Sequence, residues 1–234
     1  KISDFLNHVE PQKSTCEITI KSLQNLIYEL VDEHEQELRI EFLDRSSKKL
    51  FERFTGLLSP PQHIQIKLWL ASHYELLGAY QKALKSYDEA IGLCNSEKYY
   101  KEKAEALQYI GHIRALKNDW ENALNVLNQS LDICLKHEDI TEESRAQNLI
   151  GLVYFEKGNF AAAQKYWQRA LELSEGLDNT RLAASYYNNI GILSNVRGDF
   201  EKALACYAEA LPRFEKIGHT RSLAHTFHNM GMTF

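Results

Sequence analysis

The chain has 234 residues, 44% hydrophobic and 25% charged, with 27 Lys and Arg against 32 Asp and Glu. This is the composition of a globular protein with material for a core. The net charge of −5 argues against a nucleic-acid binder, which carries a basic face, and the apolar runs are too short for a membrane span.

The opening residues lack a signal-peptide pattern. Four cysteines, Cys16, Cys94, Cys134 and Cys206, form no CxxC pair and fit a reducing compartment, so a cytoplasmic location is expected. The first residue is Lys1 rather than Met. The sequence therefore reads as a fragment or an ordered core, with room for an effector domain outside it.

Residues 14–43 place Ile18, Leu23, Ile27, Leu30 and Val31 at helical spacing, and a second run, 47–58, carries Leu50, Phe51, Phe54 and Leu57. Residues 1–61 thus predict an N-terminal helical pair. It reads as a capping or degenerate repeat, or as a helix for dimerisation or a partner. Ser59-Pro60-Pro61-Gln62 predicts the next helix start: serine caps, proline suits the first turn, and glutamine can complete a capping box.

From there the chain rewrites one pattern. GAYQKALKSYDEAI at 78–91 returns as NDWENALNVLNQSL at 118–131, GNFAAAQKYWQRAL at 158–171 and GDFEKALACYAEAL at 198–211. Gly111, Gly151, Gly191 and Gly231 stand 40 residues apart, with Ala71 one step earlier. Counting from these ruler positions, residue nine is aromatic (Tyr80, Trp120, Phe160, Phe200) and residue twelve is alanine (Ala83, Ala123, Ala163, Ala203). Residue sixteen is bulky (Tyr87, Leu127, Trp167, Tyr207), and residue nineteen is small (Ala90, Ser130, Ala170, Ala210). A fixed period of this kind signals stacked helical repeats.

Each unit predicts two helices. In the fourth, helical spacing over 181–197 breaks at Gly198-Asp199 and resumes over 200–217. Gly158 and Gly198 are expected in tight turns with positive φ, as is Gly218 after a second helix. Thr180 and Thr220 are expected to cap the helices that follow. The recurring alanines mark close approach of helix axes.

These residues resemble tetratricopeptide (TPR) repeats over about 62–234, in a form lengthened from the common 34 residues. Such lengthened units resemble those of bacterial regulators with TPR sensor modules and of animal peptide-binding scaffolds. The resemblance implies an all-α fold, a right-handed α-solenoid of antiparallel helix pairs. Four repeats are expected, about 64–103, 104–143, 144–183 and 184–223, plus a half repeat 224–234. The second unit departs most, with Arg114 for tyrosine, Asn118 for glycine and Ser130 for alanine, and is expected to pack least ideally.

The resemblance also implies a concave groove lined by the first helix of each unit. Its expected binding residues are Tyr109, His112, Arg145, Asn148, Leu152, Phe155, Asn188, Asn189, Ile192, Asn195, His228 and Asn229. Amides recur in step, at Gln108, Asn148 and Asn188 and again at Asn189 and Asn229. An amide offers donor and acceptor together, so it can clamp a peptide backbone whatever its side chains. Arg145 is the one cation among these positions, which argues against the basic grip that TPR proteins use on acidic C-terminal peptides.

No phosphate loop, zinc-protease or nucleophile-elbow motif occurs. His225 and His228 share a helical face but lack a carboxylate or cysteine for a metal site. The expectation is a module without enzyme activity, cofactor or metal. It binds a protein or peptide in its groove, and it neither binds nucleic acid directly nor spans a membrane. Self-association through 14–58 or the open half repeat is a second contact to expect. The alternative is a ligand-sensing module of a bacterial signalling or transcription regulator whose output domain lies outside this chain.

Overall fold

The computed structural model describes residues 36–54, 56–177 and 179–233, and every described element is helical. Of the helical run expected over 14–43, residues 14–35 lie outside the described residues. The chain divides into two compact units, Lys1–Ala106 and Leu107–Phe234. The division falls inside a helix.

In the first unit, α1 spans Gln36–Phe54, α2 Pro60–Leu76 and α3 Tyr80–Leu93, followed by a 3-10 turn at Glu97–Tyr99. α1 runs unbroken through residues 44–46, where the sequence pattern suggested a gap. Leu43, Ser46, Leu50 and Phe54 all fall on its buried side, and no glycine or proline interrupts the spacing. The start of α2 forms as expected. Gln62 Oε1 accepts from the Ser59 backbone N–H at 2.9 Å and from its hydroxyl at 2.8 Å, and Pro60 and Pro61 occupy the first turn.

The helix α4, Tyr100–Leu116, crosses the division. The second unit continues with α5 (Trp120–Lys136), α6 (Ile140–Glu156), α7 (Phe160–Gly176), α8 (Thr180–Val196), α9 (Phe200–Lys216) and α10 (Thr220–Gly231). Consecutive helices pack as pairs joined by tight turns, the arrangement of the α-solenoid class. No described helix is long and apolar enough to cross a membrane.

The ruler glycines explain the bulky residue sixteen positions on. A Cβ added to Gly111 would lie 2.5 Å from Leu127, one on Gly151 2.6 Å from Trp167, and one on Gly191 2.5 Å from Tyr207. Those large side chains are almost fully buried, so each lies where the neighbouring helix has no side chain. The alanines Ala123, Ala163, Ala170, Ala203 and Ala210 are fully buried, which lets helices approach closely.

Turns follow the same register. Gly158 and Gly198 take φ of 74° and 79°, and Asn118 reaches 59° at the equivalent place in the second repeat. Asparagine is the side chain that best tolerates this left-handed region. The other departures in that repeat also find partners: Arg114 Nη1 pairs with Asp119 at 2.9 Å, and buried Ser130 accepts from Gln108 at 3.3 Å.

Two caps differ from expectation. Thr180 and Thr220 are the first helical residues, and Asn179 and His219 precede them as caps. Asn179 Oδ1 accepts from the Leu182 N–H at 3.2 Å. Its side chain therefore reaches the open amide that the threonine was expected to satisfy.

Candidate functional site

All twelve expected groove residues lie in the second unit, and each is at least partly exposed. Tyr109 and His112 stand on α4, and Arg145, Asn148, Leu152 and Phe155 on α6. Asn188, Asn189, Ile192 and Asn195 stand on α8, and His228 and Asn229 on α10. All four carriers are first helices of a repeat, and the ruler glycine repeats the same face on each.

The asparagines meet in pairs between successive first helices. Asn189 Nδ2 donates to Asn148 Oδ1 at 2.8 Å, joining α6 to α8. Asn229 Nδ2 donates to Asn188 Oδ1 at 3.3 Å, joining α8 to α10. Each bond uses one donor of one amide and one acceptor of the other. Since an amide has two donors and two lone pairs, capacity remains at both half-buried pairs.

Gln108, the first amide in step, does not belong to this row. It is 5% exposed and donates to Ser130 Oγ, to the Glu142 carbonyl at 3.3 Å and to Glu142 Oε2 at 3.4 Å. It joins α4, α5 and α6 from inside. Arg145 turns to Glu142 Oε1 at 3.2 Å rather than to an asparagine. Glu142 is buried, so the exposed guanidinium covers its charge.

The apolar floor is partly committed to packing. The Phe155 ring lies 5.5 Å from Trp167 and 5.6 Å from Phe160. Leu152 and Phe155 both pack against the cluster around Ala163, Trp167, Tyr186 and Ile190. Trp167 Nε1 also donates to the Asn148 carbonyl at 3.0 Å, tying the second helix to the backbone of the amide row. Ile192 and Asn195 are half-exposed, and His228 is exposed. Among the described residues no group of three His, Cys, Asp or Glu could hold a metal.

Sequence reasoning missed Thr226. Its one hydroxyl proton is shared between Asn188 Oδ1 at 3.1 Å and the Ser222 carbonyl at 2.9 Å. Asn188 thus accepts from two residues of α10, which fixes its amide. The step of 40 gave no clear signal, since the equivalents of residue 226 are Ile66, Ala106, Ala146 and Tyr186.

A family model of the tetratricopeptide repeat matches residues 63–136 and 142–216, well over half of the chain. No curated protein matches the sequence. Several solved structures share the fold. BtubC from P. vanneervenii is 18% identical, with a TM-score of 0.61 over 95% of this chain and 81% of that one. The apo form of RapI is 18% identical, with a TM-score of 0.64 over 99% and 70%. Aspartyl phosphate phosphatase F from Bacillus subtilis is 16% identical, with a TM-score of 0.65 over 94% and 64%. With its 40-residue helix pairs and this family match together, the chain belongs to the tetratricopeptide repeat family.

Proposed function

We propose that the chain is an interaction module that holds a peptide or a partner helix along the face carrying the asparagine row. Its family makes it a helical-repeat module for protein interaction or regulation. The finer reading rests on one observation: Asn148 with Asn189, and Asn188 with Asn229, form two bonded amide pairs, each with donors and acceptors left over. Such a row suits a peptide backbone, which presents alternating N–H and C=O groups in any sequence. Ile192, beside the pairs on α8, offers apolar contact for side chains.

The test uses peptides selected from a random-sequence library on the wild-type protein. Asn189→Ala combined with Asn229→Ala should weaken them about tenfold or more, since each lost amide bond counts for ~1 kcal/mol. The same change removes two interhelical bonds, so a modest fall in melting temperature accompanies it while the helical circular dichroism persists. Asn179→Ala, which destabilises a helix end away from the row, should leave peptide affinity unchanged. Equal peptide affinity in the double variant and wild type would rule the groove out.

A further inference from the structure

Three residues past the ruler position the repeats carry Tyr74, Arg114, Tyr154 and Ser194. A large side chain fills this place in three repeats, and a hydroxymethyl group in the fourth. Tyr74 shows what the place holds. Its hydroxyl donates to Asp44 Oδ1 at 2.6 Å, and Lys82 Nζ lies 5.9 Å from its ring centroid. Advancing Asp44, Tyr74 and Lys82 by three steps of 40 gives Gln164, Ser194 and Lys202. Those three residues line a cavity of about 250 Å³ in the second unit.

The third repeat gives the same answer. Tyr154 stacks on Tyr166 at 5.4 Å and packs against the cluster containing Ile150 and Val153. One step on, the two tyrosines become Ser194 and Cys206, while Ile150 and Val153 become Ile190 and Leu193. Ile190 and Leu193 are 5% and 2% exposed and also line the cavity. The apolar floor is kept and the ring is missing.

We propose that this vacated tyrosine niche of the fourth repeat binds a phenolic ring. Its volume suffices, since a cavity of ~150 Å³ can hold benzene. Gln164 is the register equivalent of Asp44, which accepts the Tyr74 hydroxyl. Gln164 Oε1 already accepts from Arg197 Nη1 at 2.6 Å, and a carbonyl oxygen has a second lone pair for a phenol. Arg197 and Lys202 also line the cavity, beside Asp199, and supply cations to a ring face, as Lys82 does over Tyr74. The niche is separate from the asparagine row. Ile190 and Ser194 lie largely across α8 from Asn188, Ile192 and Asn195, because two residues turn a helix more than half a revolution, while Leu193 stands one turn on from Asn189. Either reading can fail without the other.

The probe is p-cresol, titrated into the full chain by calorimetry with toluene as comparison. Saturable binding with a dissociation constant on the order of 1 mM or tighter is expected, with toluene weaker by about tenfold for want of the hydroxyl. Ser194→Tyr refills the niche from within and should abolish p-cresol binding while raising the melting temperature. Gln164→Leu should bring the preference for p-cresol over toluene close to unity. N-acetyl-tyrosinamide separates the sources. Affinity like that of p-cresol supports a ring delivered on a polypeptide, and p-cresol binding alone supports a free phenol. No saturable p-cresol binding, or undiminished binding by Ser194→Tyr, overturns the proposal. Should Ser194→Tyr fail to fold, an unchanged p-cresol preference in Gln164→Leu overturns it equally.

Discussion

Gly191 and Gly231 occupy equivalent places one repeat apart and meet different surroundings. A Cβ on Gly191 would lie 2.5 Å from Cε1 of the fully buried Tyr207 ring, whereas nothing lies within 4 Å of one on Gly231. Overpacking against a ring that cannot retreat costs about 1–3 kcal/mol, and alanine at an open helical site is favourable by up to ~1 kcal/mol over glycine. Gly191→Ala should therefore lower the urea midpoint markedly, and Gly231→Ala should leave it level or raise it. Equal shifts in both variants would mean that the glycine rule reflects helix propensity rather than contact with residue sixteen. Glu138 illustrates the opposite case at this scale. It holds φ of 54° where the equivalent Gly218 has 66°, so an exposed glutamate occupies backbone that favours glycine.

At the scale of the helix, amphipathic spacing located the bodies of α2 to α10 in the sequence, but the ends depended on geometry that spacing does not carry. A threonine and an asparagine stand side by side at 179–180, and both are good caps by type. The structure selects Asn179, whose Oδ1 accepts from the Leu182 N–H at 3.2 Å. Asn179→Ala should then cost about 1 kcal/mol in chemical denaturation, with Thr180→Ala nearer neutral; the reverse order would restore the threonine as the cap. α1 shows a related limit. Its residues 44–46 are polar enough to suggest a break, yet Leu43, Leu50 and Phe54 bury one continuous stripe. α9 likewise continues through Pro212, with Ala203, Tyr207, Ala210 and Phe214 buried along its length.

Across the whole molecule, the repeat was legible because its packing residues are constrained twice, by helix period and by the step of 40. The site was legible only in part. Asn148 and Asn189 could be placed on one face from their spacing, but their mutual bond joins two residues 41 apart on different helices. Gln108 shares the step and yet lies inside, because Ser130 replaces an alanine and gives it a buried partner 22 residues away. Burial of such polar groups also sets how the fold responds to alkali. The Tyr186 ring is 1% exposed and its hydroxyl lies 3.3 Å from Ser144 Oγ. Burial pushes that phenol up to about 12 from 10.0. Burial likewise pushes the Cys134 thiol up to about 12 from 9.0, with Glu142 and Asp139 adding to it against Ser130. Both groups are acids held neutral by the fold. Below about pH 9 folded and unfolded chains both keep these protons, so stability does not depend on them. Between about pH 9 and 12 the unfolded chain releases them first, and stability falls as pH rises. The urea midpoint should be level near neutrality and drop steeply between about pH 9 and about pH 11. Tyr186→Phe should make that drop shallower by removing one of the titrating protons. A midpoint that holds level to about pH 11 would show that these buried acids ionise in the folded chain as readily as in the unfolded one.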